Sequence, residues 1–110
     1  MSNTANIRAL NDEFRKSLGC RGGPGKLLLT PGIARREDSF QILLAVQRFA
    51  DFKSDNDPWE EHDFGSFKVG IHTIFWKIDY YDKDLTAGSP DPSDPDVTAR
   101  VLTILLASEY

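Results

Sequence analysis

The stretch Phe64–Asp82, FGSFKVGIHTIFWKIDYYD, is the densest run of aromatic and β-branched residues in the chain. Such residues favour pleated, half-buried backbone, and Gly70 interrupts the run where a reversal fits. The pattern predicts two strands around Gly70. In the second strand, side chains alternate between faces, so Ile74, Trp76, Ile78 and Tyr80 share one face. Phe75, Lys77, Asp79 and Tyr81 share the other. The first set reads as sheet core. The second places two aromatics around a Lys–Asp pair on the side that should be wetter.

A chain of 110 residues with 12 aromatics and a 40% hydrophobic fraction is expected to fold as one domain spanning residues 1–110. One cysteine excludes an intramolecular disulfide and a cysteine-rich zinc site, which favours a reducing compartment. The opening Met1-Ser2-Asn3-Thr4 shows no basic stretch followed by an apolar run, so no signal peptide is expected. No apolar run approaches the length of a membrane span. The expected setting is cytoplasmic, without membrane contact. Net charge is −4, but residues 1–50 carry eight Lys/Arg against four Asp/Glu, whereas residues 51–110 carry five against thirteen. The plain reading of that asymmetry is a solvated loop system, and the sharper one is a polar partner surface.

In residues 4–18 helical spacing aligns Ile7, Leu10, Phe14 and Leu18, leaving Arg15 and Lys16 on the polar side and Gly19 as a stop. The Gly19–Lys26 loop is rich in glycine but is no phosphate cradle. Leu27 stands where the Ser or Thr after the lysine would hold magnesium, and the order is helix-to-strand. Cys20 lies in this loop with no catalytic histidine matched to it. Lys26–Thr30 reads as a strand ended by the turn dipeptide Pro31-Gly32. Asp38 with Gln41 suggests a capping box before a helix carrying Ile42, Leu43, Val46 and Phe49. Near the C-terminus, Asp94, Pro95 and Asp96 look like a helix start. Val97, Val101, Ile104, Leu105 and Ser108 would form its stripe, widened by Leu102 and Leu106. The expected fold is α+β in the order α-β-α-β-β-α, a three-stranded, mostly antiparallel sheet packed by helices.

Several segments in this order resemble a family of small bacterial proteins catalogued as a domain of unknown function and often carried on plasmids and mobile elements. They are Leu29-Thr30-Pro31-Gly32-Ile33, Asp55-Asn56-Asp57-Pro58, Glu61-His62-Asp63-Phe64-Gly65, Phe75–Asp82, Gly88–Pro92 and Arg100–Ile104. The Gly19–Lys26 loop and the Gly70-Ile71-His72 turn depart from that pattern. The resemblance implies a cytoplasmic module in a defence, counter-defence or plasmid-maintenance setting and carries no catalytic roles.

Residues 51–63 are the most polar stretch, and Asp55, Asp57, Glu60, Glu61, His62 and Asp63 are its candidate site residues. Oxygen ligands with one imidazole suit a divalent ion. The spacing departs from a calcium loop, because Glu60 occupies the position that needs glycine and no bidentate Glu follows. Lys77 also lacks the acid two residues earlier that acid-plus-lysine nuclease centres use, since Phe75 stands there. No residue is therefore assigned a catalytic or metal role, and no cofactor is expected. A pI of 5.0 argues against direct nucleic-acid contact. The reading is a non-enzymatic interaction module whose acidic-aromatic surface engages a basic protein, such as a member of a nucleic-acid-binding complex. That surface comprises the six loop residues with Trp59, Phe75, Lys77, Asp79 and Tyr81. It suits an accessory or inhibitor protein acting as a nucleic-acid mimic. The competing class is a small divalent-metal-dependent hydrolase using the Asp55–Asp63 loop. Composition leaves the oligomeric state open.

Overall fold

The computed structural model describes residues 3–110. The chain forms helix α1 (Asn3–Lys16), strand β1 (Gly25–Leu29), a one-turn helix α2 (Pro31–Ala34) and helix α3 (Ser39–Gln47). Strands β2 (Phe64–Val69), β3 (His72–Tyr81) and β4 (Ala99–Leu106) follow, and a 3₁₀ turn at Ala107–Glu109 ends the chain. This is a small α+β fold with a four-stranded mixed sheet in the order β1-β4-β3-β2.

The hairpin expected around Gly70 is present. Val69 pairs His72, Gly65 pairs Trp76, and Gly70 takes φ +62°, a left-handed turn conformation that glycine adopts without penalty. The core face is also the expected one. Ile74, Trp76 and Ile78 are buried, and Tyr80 is half-buried on the same side. Register adds Leu102 and Ile104 of β4 and Leu27 and Leu29 of β1 to that face. Phe14 of α1, Ile33 of α2, and Ile42 and Val46 of α3 pack onto it, joined by Phe49 just beyond α3.

The end of the chain corrects the expectation. Residues 99–106 form a strand, not a helix, and it is the centre of the sheet, antiparallel to β3 and parallel to β1. The sheet therefore has four strands rather than three. A central strand buried on both faces reads as a continuous apolar run, whose periodicity does not separate strand from helix. The β-branched residues Val97, Thr98, Val101, Thr103 and Ile104 tip it toward extended backbone. Asp94 starts a turn instead of a helix. Its carboxylate accepts from Asp96 N at 2.9 Å and its carbonyl from Val97 N at 3.2 Å.

Three local expectations also change. Asp38 does precede α3, but its carboxylate makes no cap bond, because the Arg36 guanidinium holds it through two bonds of 2.7 and 2.9 Å. That ion pair holds the Asp38 carboxyl below its ordinary range. Pro31-Gly32 opens a short helix where a bare turn was expected, with the proline at a first-turn position that needs no N–H. Arg15, assigned to the polar side of α1, is buried.

Candidate functional site

Residues 51–63 have no regular structure, so side chains must hold them in place. Three of the side-chain bonds that do so end on α1. Arg8 donates to the Glu60 carbonyl at 2.9 Å and Asn11 Nδ2 to the Glu61 carbonyl at 2.9 Å. One turn further, Asp12 Oδ1 meets His62 Nδ1 at 2.8 Å and the Arg15 guanidinium at 3.1 Å. Successive contacts at 8, 11, 12 and 15 follow the helical repeat, so a single stripe of α1 grips the loop.

His62 is the centre of this grip. Its ring stacks on Phe52 with centroids 3.7 Å apart and planes 5° from parallel. Its Nε2 lies 3.6 Å from Oδ2 of Asp57, whose other carboxylate oxygen accepts from His62 N at 3.1 Å. The backbone at Glu60 and His62 is left-handed, with φ of 58° and 56°. For residues with a Cβ such conformations cost about 1 kcal/mol or more each and persist only where surrounding contacts impose them. Two cavities lined in part by Phe52 and His62 measure about 300 Å³ and about 420 Å³. Arg8, Lys53 and Asp57 line the first, and Asp12, Lys16 and Arg48 the second.

Beneath the loop a second network crosses to the sheet. Arg100 of β4 donates from Nε to Asn11 Oδ1 at 2.7 Å and from a terminal nitrogen to the Pro92 carbonyl at 2.6 Å. Asn11 Nδ2 donates to the Tyr80 hydroxyl at 2.7 Å, and that hydroxyl donates to Glu61 Oε1 at 2.8 Å. The Arg100 guanidinium lies 5.2 Å from the centre of the Tyr80 ring. Burial lowers the arginine's proton affinity and, opposed in part by the bond from Asn11, raises the Tyr80 pKa well above its ordinary value. Asp63 is also pushed up, first by burial and then by the neighbouring carboxylate of Glu61. Arg15, also fully buried, gives Nε to the Val46 carbonyl and a terminal nitrogen to that of Phe49, satisfying acceptors at the end of α3.

The eleven expected partner-binding residues thus fall on two surfaces. Asp55, Trp59 and Glu60 are exposed on the loop, Trp59 at 77%. Asp57 is buried, while Glu61, His62 and Asp63 are half-buried, His62 meeting Asp12 of α1 and Glu61 the Tyr80 hydroxyl. Phe75, Lys77, Asp79 and Tyr81 lie on the opposite face of the sheet, where Lys77 Nζ and Asp79 Oδ2 are 2.7 Å apart. Among the described residues no three His, Cys, Asp or Glu side chains converge to hold a metal ion. Cys20 is exposed, a free thiol. Sequence reasoning missed Asn11, Asp12, Arg15, Phe52, Tyr80 and Arg100 as parts of the site. One signal was available: Arg100 is a lone charge at the start of an apolar run.

No curated protein and no solved structure matches the chain. A family model described as a protein of unknown function, DUF3768, matches residues 29–109, a span that takes in Glu61, His62, Tyr80 and Arg100 and begins after α1. The chain belongs to the DUF3768 family.

Proposed function

We propose that this chain is a cytoplasmic, non-enzymatic interaction module whose loop 51–63 docks on a basic protein, such as a member of a nucleic-acid-binding complex. One observation carries the reading. Trp59 is 77% exposed on a loop tied to α1 through Arg8, Asn11 and Asp12, between the exposed acids Asp55 and Glu60. A large aromatic displayed on a pre-ordered loop loses little freedom on docking, and such residues dominate interface energetics. The surrounding acids steer a cationic partner and set the sign of the salt dependence. The setting implied by the sequence resemblance, a bacterial mobile element, fits an accessory or counter-defence inhibitor that occupies a phosphate channel.

The test is capture from a host lysate with the intact protein, Trp59→Ala and the pair Asp55→Lys with Glu60→Lys. The intact protein should retain a basic partner at low salt. The charge reversals should slow association, and Trp59→Ala should speed dissociation. A partner indifferent to all three changes and to ionic strength would end this reading.

A second reading is a small divalent-metal-dependent hydrolase using the Asp55–Asp63 loop, which requires an ion to draw together side chains that, among the described residues, do not converge without one. His62 stands between the carboxylates of Asp12 and Asp57 beside a cavity of about 300 Å³. Mg²⁺, Mn²⁺, Ca²⁺ or Zn²⁺ should then raise the melting temperature by mass action, and Asp57→Ala with His62→Ala should remove the rise.

A further inference from the structure

The sheet face turned away from the helices has its own chemistry. The core-cluster residues of α1, α2 and α3 all pack on the opposite face; on this one the larger residues of β2 and β3 flank a strip of β4, Ala99, Val101 and Leu105, that is itself buried. Register places Phe64 of β2 and Phe75 and Tyr81 of β3 on it. The C-terminal Tyr110, 78% exposed, folds back against Phe75. Phe64 and Phe75 have ring centroids 5.2 Å apart with planes inclined by 54°, and Phe75 and Tyr110 lie 5.7 Å apart at 89°. Phe75 and Tyr110 meet edge to face and Phe64 and Phe75 are tilted, so neither pair stacks face to face.

The charge on this face is opposite to that of the loop. Lys26 of β1, Lys68 of β2 and Lys77 of β3 lie on it with one acid, Asp79. Lys77 is paired with Asp79, while Lys26 and Lys68 are exposed and make no ion pair among the described residues. They stand on the two edge strands at diagonally opposite corners: Lys26 shares a row with Asp79 and Lys68 with Thr73, so three strand spacings across and six residues along put them roughly 25 Å apart. The loop acids Asp57 and Glu61 are bound to His62 and Tyr80 on the helix side. Whole-chain acidity therefore averages over two unlike surfaces, and the pI argument against nucleic acid does not apply to this one.

We propose that this face binds single-stranded nucleic acid, RNA or DNA. Bases stack on Phe64, Phe75 and Tyr110, and the phosphates pass Lys26 and Lys68 at the rims. Stacking suits any base, so binding tolerates sequence and requires unpaired strands. The size of the face agrees. Four strands about 4.8 Å apart and some six residues long make a plane of roughly 19 by 20 Å. That is small beside the ~800 Å² per partner of a stable protein interface, yet it accommodates about three nucleotides. The proposal is independent of the loop reading, since it uses the other side of the molecule.

Fluorescence anisotropy of the full chain with dye-labelled oligo(U) and oligo(dT) tests it. Saturable binding is expected at low salt, with log K falling against log salt at a slope of about −1.4 for the two unpaired lysines. Tyr110→Ala should weaken binding about tenfold. Lys26→Glu with Lys68→Glu should abolish it or flatten the slope by more than about 1. All three positions are exposed, so circular dichroism should show the fold retained. Trp59→Ala should bind the oligonucleotides like the parent. The proposal is overturned by an absence of saturable binding, by binding that ignores these variants, or by duplex competing as well as single strand. A dimer in sedimentation that Tyr110→Ala dissociates also overturns it, because a second copy would then occupy the face.

Discussion

Gly65 and Trp76 form a directly paired position of the β2–β3 ladder, and replacing that glycine by alanine tests the core most directly. Trp76 is fully buried, its indole edge-on to Phe49 at 5.5 Å with the Arg15 guanidinium 5.3 Å from its ring. Space for it exists because residue 65 has no side chain. A Cβ there would stand against indole Nε1, 2.5 Å from Cε2 and 2.8 Å from Cζ of Phe49. A rigid bicyclic ring and a second aromatic cannot yield that distance by rotating one bond. One added methyl should therefore cost about 1–3 kcal/mol as overpacking. In an otherwise open strand Gly→Ala is favourable by several tenths of a kcal/mol, so a loss of this size is specific to the clash. The stronger claim concerns coupling. Trp76→Ala alone should cost about 3–5 kcal/mol by leaving a cavity, but in that background Gly65→Ala should be neutral or stabilising. The cycle should give an interaction energy of about 1–3 kcal/mol, read from urea unfolding by far-UV circular dichroism with unchanged m-values. Equal cost of Gly65→Ala with and without the indole would refute the packing argument.

Two further outcomes follow from the buried polar network. Asn11→Ala withdraws the acceptor of Arg100 Nε and the donor to Tyr80, leaving a buried cation with fewer partners. It should cost about 3 kcal/mol in chemical denaturation, and a loss below about 1 kcal/mol would show that water replaces the amide. Asp63 has a folded-state pKa above its unfolded value, so its ionisation opposes folding. The stability it contributes is complete below the unfolded carboxylate pKa, near 4, and is lost as pH rises through the folded value. Asp63→Asn should therefore raise the melting temperature at pH 7, with the gain shrinking on acidification toward about pH 4; a pH-independent gain would contradict this origin.

The hairpin was legible because its information is local. Alternation over Ile74–Tyr81 assigned both faces of β3, and Gly70 marked the reversal. The stripe Ile7–Phe14 likewise marked α1 and the side it buries. Candidate-site residues of the loop were visible as a run of acids around His62, which is a property of composition.

Tertiary structure decided the remainder, for two physical reasons. The first concerns β4. Burial on both faces erases the alternation that identifies a strand, and only its position between β1 and β3 settles that residues 99–106 are extended. The second concerns charge. Arg15 and Arg100 can be buried because carbonyls of Val46, Phe49 and Pro92, together with the Asn11 amide and the Asp12 carboxylate, converge on them from distant parts of the chain. The same convergence turned Asp57 and Glu61 inward, left Trp59 and Glu60 outside, and put Lys26, Lys68 and the aromatics of β2 and β3 on a separate face. The sign of a surface depends on which side chains the fold sends to each side, and composition sums over both.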